Sequence, residues 1–445
     1  MKEIRKLGGG LAIVLMTVGA SGCGGGTHPS ASASPTAAPA KPTAEEARQA
    51  LNEASEANRT KYASLSFEEF KASPAVYKEP FEGGKYIVNG DTPLLGDKQL
   101  KEFFESKVKR APVQPTMRRQ VELAVGHVGG LDLAWNQELK KKLTYCVSNS
   151  GFGPRYTAVV REMVAATAAW EAVAAIDFTH DPAQDGSCGP TNQGVAFDVR
   201  PVNVNGRYLA RAFFPNEPRD ARNLLIDESS FNIAPNDRLQ LAGILRHELG
   251  HALGFRHEHT RPSSGPCFED TEWRGLTTYD PWSVMHYPQC QGQGDWSLTL
   301  TTRDKSGAAC LYGAAPGFAI DPTLVETGSC ATDTGGTPGL PKTKTFDAQS
   351  VAKDAQEEYG PFAVAPGSLF EATIGGPGSS GDPDIYVRFG SQPTLSEHNC
   401  RPFLLGPNET CSIDTPGGQG QAHVMVHGYE AGKYNLKVKH VPPPD

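Results

Sequence analysis

The spacing of apolar residues changes character along this chain. Between residues 156 and 175 they step by four and three, at Val159, Met163, Ala166, Trp170 and Val173, the stripe of a helix with one buried face. Runs at 142–147, 175–179, 195–202, 208–214 and 223–226 read as strands, and further helices are expected over about 237–255 and 302–312. One long helix, several strands and a second helix predict an α+β domain, a mixed sheet backed by two helices. Beyond a Gly/Pro/Thr-rich connector, 368–374, 384–389, 422–426 and 433–438 are short strand-like runs between Gly, Pro and Asp clusters, the pattern of a small β-sandwich. Ahead of these, residues 44 to about 130 are charged and thin in core positions, with helical pattern at 44–57 and 97–108 and a short apolar run at 86–88 leading into turn residues.

Composition narrows the classes. The 445 residues carry a net charge of −8, which argues against nucleic acid as the main partner. Lys2, Arg5 and Lys6 precede an apolar run over 11–20, too short to span a bilayer but suited to an export signal. Ala20-Ser21-Gly22 before Cys23 resembles a bacterial lipoprotein box, which implies lipid on Cys23 after cleavage, so that a lipid anchor is the expected membrane attachment. Residues 24–43, rich in Gly, Ser, Ala and Pro, read as a disordered tether. Nine cysteines are odd in number; with Cys23 lipidated, the remaining eight can form disulfides in an oxidising compartment.

The chemistry concentrates in His247-Glu248-Leu249-Gly250-His251-Ala252-Leu253-Gly254-Phe255-Arg256-His257. At about 100° per residue, His247 and His251 share one helical face, so both imidazoles can reach one ion. Glu248 lies on the same side, placed to act on a water without being a ligand. Gly254 can end the helix and turn the chain so that His257 becomes the third ligand. Three neutral nitrogens suit zinc and leave a fourth position open, the arrangement of a catalytic site. Three His and one Gly at these spacings arise by chance in roughly one chain in a thousand of this composition. His259 is an alternative third ligand of low weight, and His286 a bystander.

The pattern H-E-x-x-H-x-x-G-x-x-H resembles the metzincin zinc peptidases, and Ser283-Val284-Met285-His286-Tyr287 resembles their methionine turn. Phe255, Glu258, Arg261 and the M-H-Y triplet resemble the astacin subgroup, although Pro262-Ser263-Ser264-Gly265 departs from it and the interval from His257 to Met285 is short. The resemblance implies one catalytic Zn2+ on His247, His251 and His257, Glu248 as general base, Met285 packed beneath the metal, and the phenol of Tyr287 as an oxyanion donor. It also implies protein or peptide substrates held along an edge strand, for which 208–215 is the candidate. Residues 381–390 with Cys400-Arg401-Pro402 and Glu409-Thr410-Cys411 resemble the bacterial pre-peptidase C-terminal domain. Asp382 and Asp384 there read as turn-capping residues, with Ca2+ binding as the alternative.

The organisation expected is a signal segment 1–23, a tether 24–43, a pro-segment 44–130, a metallopeptidase domain 131–315, a linker 316–344 and a β-sandwich 345–445, in an exported, monomeric cell-envelope protein that cleavage of the pro-segment can release. The alternatives are a matrixin-like peptidase or a catalytically silent surface-binding lipoprotein on the same fold. Cys400–Cys411 and Cys267–Cys290 are the leading disulfide candidates, with Cys146–Cys188 and Cys310–Cys330 next. No cysteine occurs between 24 and 145, so a thiol cannot hold the enzyme latent. Gly90-Asp91 resembles the end of the astacin latency motif, which makes Asp91 the latency candidate. Asp91→Ala is expected to shorten the lag before peptidase activity in the full-length chain; an unchanged lag removes Asp91 from that role.

Overall fold

The computed structural model describes residues 61–88, 92–109, 122–128, 131–258, 273–286, 292–326, 330 and 339–444. The expected signal, tether and 44–57 helix lie outside these residues, as do Cys23, Asp91, His259, Tyr287, Cys267 and Cys290. Among the described residues no helix is long and apolar enough to cross a membrane.

The N-terminal unit begins with helix α1 (Phe67–Lys71), opened by a reciprocal capping box between Ser66 and Glu69. Strands β1 (Tyr77–Lys78), β2 (Tyr86–Val88) and β3 (Thr92–Leu94) form a small antiparallel sheet, followed by α2 (Asp97–Phe103), which continues as a wider turn through Phe104–Val108. Phe70, Tyr86, Val88, Leu100, Phe103 and Phe104 make a small core, with Phe70 stacked on Phe104 at 4.8 Å.

The central unit contains β4 (Glu122–Val128), β5 (Leu131–Asp132), β6 (Leu143–Val147), α3 (Tyr156–Glu171), β7 (Phe178–His180), β8 (Phe197–Val202), β9 (Ala210–Arg211), β10 (Asn223–Asp227), α4 (Leu241–Ala252), β11 (Trp273–Thr277) and α5 (Thr302–Tyr312). Its main sheet runs β7-β6-β8-β10-β9, parallel except for the antiparallel edge strand β9. The mixed sheet and helices are those the apolar pattern predicts. Val159, Met163, Ala166 and Trp170 of α3 are fully buried, as their spacing requires. Helix α4 starts at Leu241, later than about 237, because the Asp237 carboxylate accepts the Leu239 N–H and holds a turn there. Strand β4 lies ahead of residue 131, where sequence texture starts this unit, because it pairs with β11 and receives the chain leaving α4: Gly126 N–H donates to Gly254 O and Arg256 N–H to Ala124 O.

In the C-terminal unit, β12 (Lys342–Val351), β13 (Gln356–Ala363), β14 (Leu369–Phe389), β15 (Glu409–Asp414) and β16 (Gln421–His440) are all antiparallel, in the order β12-β16-β14-β15 with β13 also on β16. Four short strands expected from sequence are thus the halves of two long ones. The Gly/Pro/Asp cluster that reads as a turn is an irregular stretch inside β14, where the register shifts between Gly375 and Pro383. Both halves of β14 contribute to one core, Phe370 and Ile374 from the first and Ile385, Val387 and Phe389 from the second. Disulfides join Cys146 to Cys188, Cys310 to Cys330 and Cys400 to Cys411.

The chain leaves α4 through Gly254 at φ +90°, where an added Cβ would meet Leu133 O at 1.7 Å. Both the left-handed backbone and the backbone contact forbid a side chain. Gly254→Ala is therefore expected to cost more than about 3 kcal/mol. Gly153→Ala, at φ +52° but with nothing within 4 Å, is expected to cost about 1 kcal/mol. Thermal unfolding of the two variants checks this; similar losses would contradict it.

Candidate metal centre

Helix α4 presents His247 and His251 one turn apart, and the turn at Gly254 returns His257 to face them. The three rings are 4–5 % exposed for the first two and 1 % for His257, with one ligand atom of each lying within 4.8 Å of the others. His251 Nε2 and His257 Nε2 are 3.1 Å apart. Two nitrogens each about 2.0–2.1 Å from a tetrahedral zinc stand about 3.3 Å apart, so this spacing fits the ion. His247 and His251 turn their other nitrogens to backbone carbonyls, Nδ1 to Val284 O at 2.7 Å and Nδ1 to Phe255 O at 2.8 Å. A proton on Nδ1 donates there and leaves Nε2 as the lone-pair donor, the tautomer a metal needs. Glu248 follows His247 on the helix and is 3 % exposed.

Close packing sets the helix against its surroundings. An added Cβ at Gly250 would meet Met285 Sδ at 2.3 Å and Trp170 Cζ2 at 3.4 Å, so the glycine between the two histidines lets the methionine turn and α3 close on α4. Trp170 stacks on Phe255 at 5.3 Å. The last carbonyls of the helix region are satisfied by side chains: Trp135 Nε1 donates to Ala252 O at 2.7 Å and the Tyr312 hydroxyl to Leu253 O at 2.6 Å. The methionine turn is fixed from the other side, with Glu258 N–H donating to Met285 O at 2.8 Å.

Asp304 of α5 is the positioning residue that spacing does not announce. It is fully buried, and its carboxylate accepts the Ser283 hydroxyl, the Val284 N–H at 2.9 Å and the Thr301 N–H at 2.9 Å. Val284 O in turn receives His247, so Asp304 reaches the metal ligand through one residue. His286 stays outside the cluster, paired with the Tyr279 hydroxyl at 2.8 Å. The candidate substrate strand becomes β9, the antiparallel edge of the main sheet, and Phe214 just beyond it packs edge-on against His251 at 5.6 Å. Residues of the N-terminal unit cover this edge: Glu79 accepts from Arg211 Nε at 2.7 Å and from the Tyr208 hydroxyl, and Thr92 and Pro93 line a crevice with Phe214 and His251.

Burial pushes Asp304 from an ordinary 3.8 up to about 6, against the lowering by its three hydrogen bonds. The fold therefore keeps a proton that the unfolded chain has released, so this group favours folding below 3.8 and loses that contribution as pH rises through about 6. Asp304→Asn is expected to remove this slope from the stability–pH curve, and Asp304→Ala to weaken zinc binding by about 10–100-fold in a chelator competition. An unchanged slope and affinity would contradict the positioning role.

Residues 134–264 match the family model described as Matrixin. Over 90 residues the chain is 37 % identical to the Zinc metalloprotease of Helicobacter pylori, covering 20 % of this chain and 34 % of that protein. It is 40 % identical over 68 residues to the Neutral protease of Vibrio proteolyticus (15 % and 11 %), and 52 % identical over 52 residues to the Alkaline serine exoprotease A of Vibrio alginolyticus (12 % and 10 %). The chain thus spans only about a tenth of the first curated relatives it matches. A solved structure titled "Solution structure of vEP C-ter 100" is 33 % identical over 21 % of this chain and 87 % of that one, with a TM-score of 0.17. The match to matrixins replaces the astacin subgroup as the better-supported branch, in keeping with the short interval before Met285 and the departure at 262–265. The histidine triad, His247, His251 and His257, lies inside the segment that matches the matrixin model.

Proposed function

We propose that the whole protein is an exported, zinc-dependent endopeptidase, made as a latent precursor. The observation that carries this reading is the convergence of three buried histidine nitrogens within 4.8 Å beside a buried glutamate. His247, His251 and His257 would hold a zinc ion, and a bound zinc would supply Lewis-acid polarisation of a water and of the scissile carbonyl. Glu248 takes the water's proton as it attacks and passes it to the leaving amide nitrogen. The phenol of Tyr287, two residues past Met285, is the candidate donor to the developing oxyanion. Its place rests on sequence pattern. Next to the methionine turn, a hollow of about 400 Å³ bordered by Trp282, His286 and Trp296 offers space for a substrate side chain.

The described residues 61–88 and 92–109 of the expected pro-segment 44–130 keep the enzyme latent in this reading. They pair with the catalytic unit through buried charges, Glu79 with Arg211 and Lys85 with Glu217 and Ala221 O, while Ile87 packs on Val204 and Tyr208. An extended substrate needs the edge that these contacts cover. Three disulfides among the described residues fit an oxidising compartment outside the cytoplasm. The membrane anchor on Cys23 is inferred from the residues preceding it.

Once the pro-segment has been cleaved, the chain is expected to digest casein, and a zinc chelator to abolish the digestion. Glu248→Ala is expected to lower kcat/KM by at least about 10²–10⁴-fold. Undiminished activity in the variant, or activity indifferent to chelation, sinks the assignment. Absence of any activity in processed wild-type protein with zinc bound would favour the silent surface-binding alternative.

A further inference from the structure

Lys98, the second residue of α2, reaches across to the C-terminal unit and is 5 % exposed there. Its ammonium donates to Asp382 Oδ2 at 3.2 Å, to Asp384 Oδ1 and to Leu404 O at 2.9 Å. It also lies 4.4 Å from the ring centroids of both Phe403 and Tyr429. Asp382 and Asp384, expected to cap turns, are instead the two walls of this pocket, and neighbouring Glu409 is 2 % exposed. Asp384 is fully buried, and its Oδ2 has no hydrogen-bond partner. Burial, with repulsion between the neighbouring carboxylates, pushes Asp384 up to about 6 and Glu409 up to about 8.

The lining distinguishes among cations. Both Glu409 oxygens are engaged by backbone N–H groups, of Ile385 and Leu404, and Asp382 Oδ1 by that of Gly406. Four oxygens then remain for a guest: Asp382 Oδ2, both of Asp384, and Leu404 O. A calcium ion takes six to eight oxygen ligands and gains nothing from two aromatic faces. An alkylammonium has three N–H donors and is attracted to ring faces as well as carboxylates. A buried Lys also leaves room for its own aliphatic stem along an apolar wall.

We propose that the C-terminal unit carries a recognition site for a primary alkylammonium, filled in cis by Lys98 and, once the pro-segment has left, by a lysine side chain of a protein partner. The second half rests on the pro-segment reading above. In the precursor the site acts as a latch, since the same α2 helix is also held by Arg401 on Glu102 and by Gln99 on Pro402 O. The lid over the catalytic edge is thereby tied to a domain nearly 300 residues away.

The test is chemical rescue in the full chain, on a Glu248→Ala background so that no chain is cut during measurement. Lys98→Ala is expected to lower the thermal midpoint by several degrees. Millimolar n-butylammonium chloride should restore most of that loss saturably, with no gain for the parent chain or for Lys98→Ala/Asp384→Asn. Should Lys98→Ala not fold alone, the same comparison is read as the yield on refolding with n-butylammonium against sodium at equal ionic strength. Equal effects of the amine and sodium, or rescue by calcium chloride in place of the amine, overturn the proposal. For the vacated site, processed wild-type chain is expected to be retained on 1,4-diaminobutane immobilised through one end, whose free end is a primary alkylammonium, while the intact precursor passes through at the same ionic strength. Passage of both contradicts the second half. None of these readouts depends on hydrolysis, so failure here and failure of the peptidase reading are separable.

Discussion

Everything at the metal centre depends on how the chain leaves α4. One residue, Gly254, takes a left-handed conformation against the carbonyl of Leu133, and three things follow from that approach. His257 comes back to face His251. Phe255 and Arg256 enter pairing with β4, and Phe255 O becomes the acceptor that orients His251. The geometry of the site is therefore set by the backbone, which turns the imidazoles toward one point.

Local pattern made part of this readable. The histidine spacing, the following glycine and the Met285 turn are all short-range, and helical geometry alone brings His247 and His251 together. The stripe of α3 and the whole of α5 could likewise be read from periodicity and capping. Long-range contacts left no such signature. Asp304 looks like the N3 partner of a capping box, which it is, but its second carboxylate oxygen and its reach to Ser283 and Val284 depend on packing across 20 residues. Nothing in the sequence sets Lys98, Lys85, Glu79 and Arg211 apart, because a buried ion pair is spelled with the same letters as an exposed one. The two long strands β14 and β16 were divided in the sequence by glycines that punctuate a turn elsewhere but here take up the register shifts of a bent strand.

These hidden contacts share one purpose in the structure. The N-terminal unit has a core of few residues, and beside the apolar contact of Ile87 it buries charged side chains against its neighbours, Lys85 and Glu79 on the catalytic unit and Lys98 on the β domain. Buried ion pairs are expensive to break one partner at a time, and they add little stability over an apolar contact of equal size. Such pairs would suit the proposed pro-segment, which would seat in one register and come away whole. A greasy interface would hold the same segment without that selectivity and would leave an exposed apolar patch after its departure.

On the proposed reading, three histidines of this chain hold a catalytic zinc with one position open. X-ray absorption at the zinc edge on the purified protein tests it most directly. One zinc per chain is expected, bound by three imidazole nitrogens at about 2.0–2.1 Å and one further light atom. Sulfur scattering at about 2.3 Å, or no stoichiometric zinc at all, would contradict it.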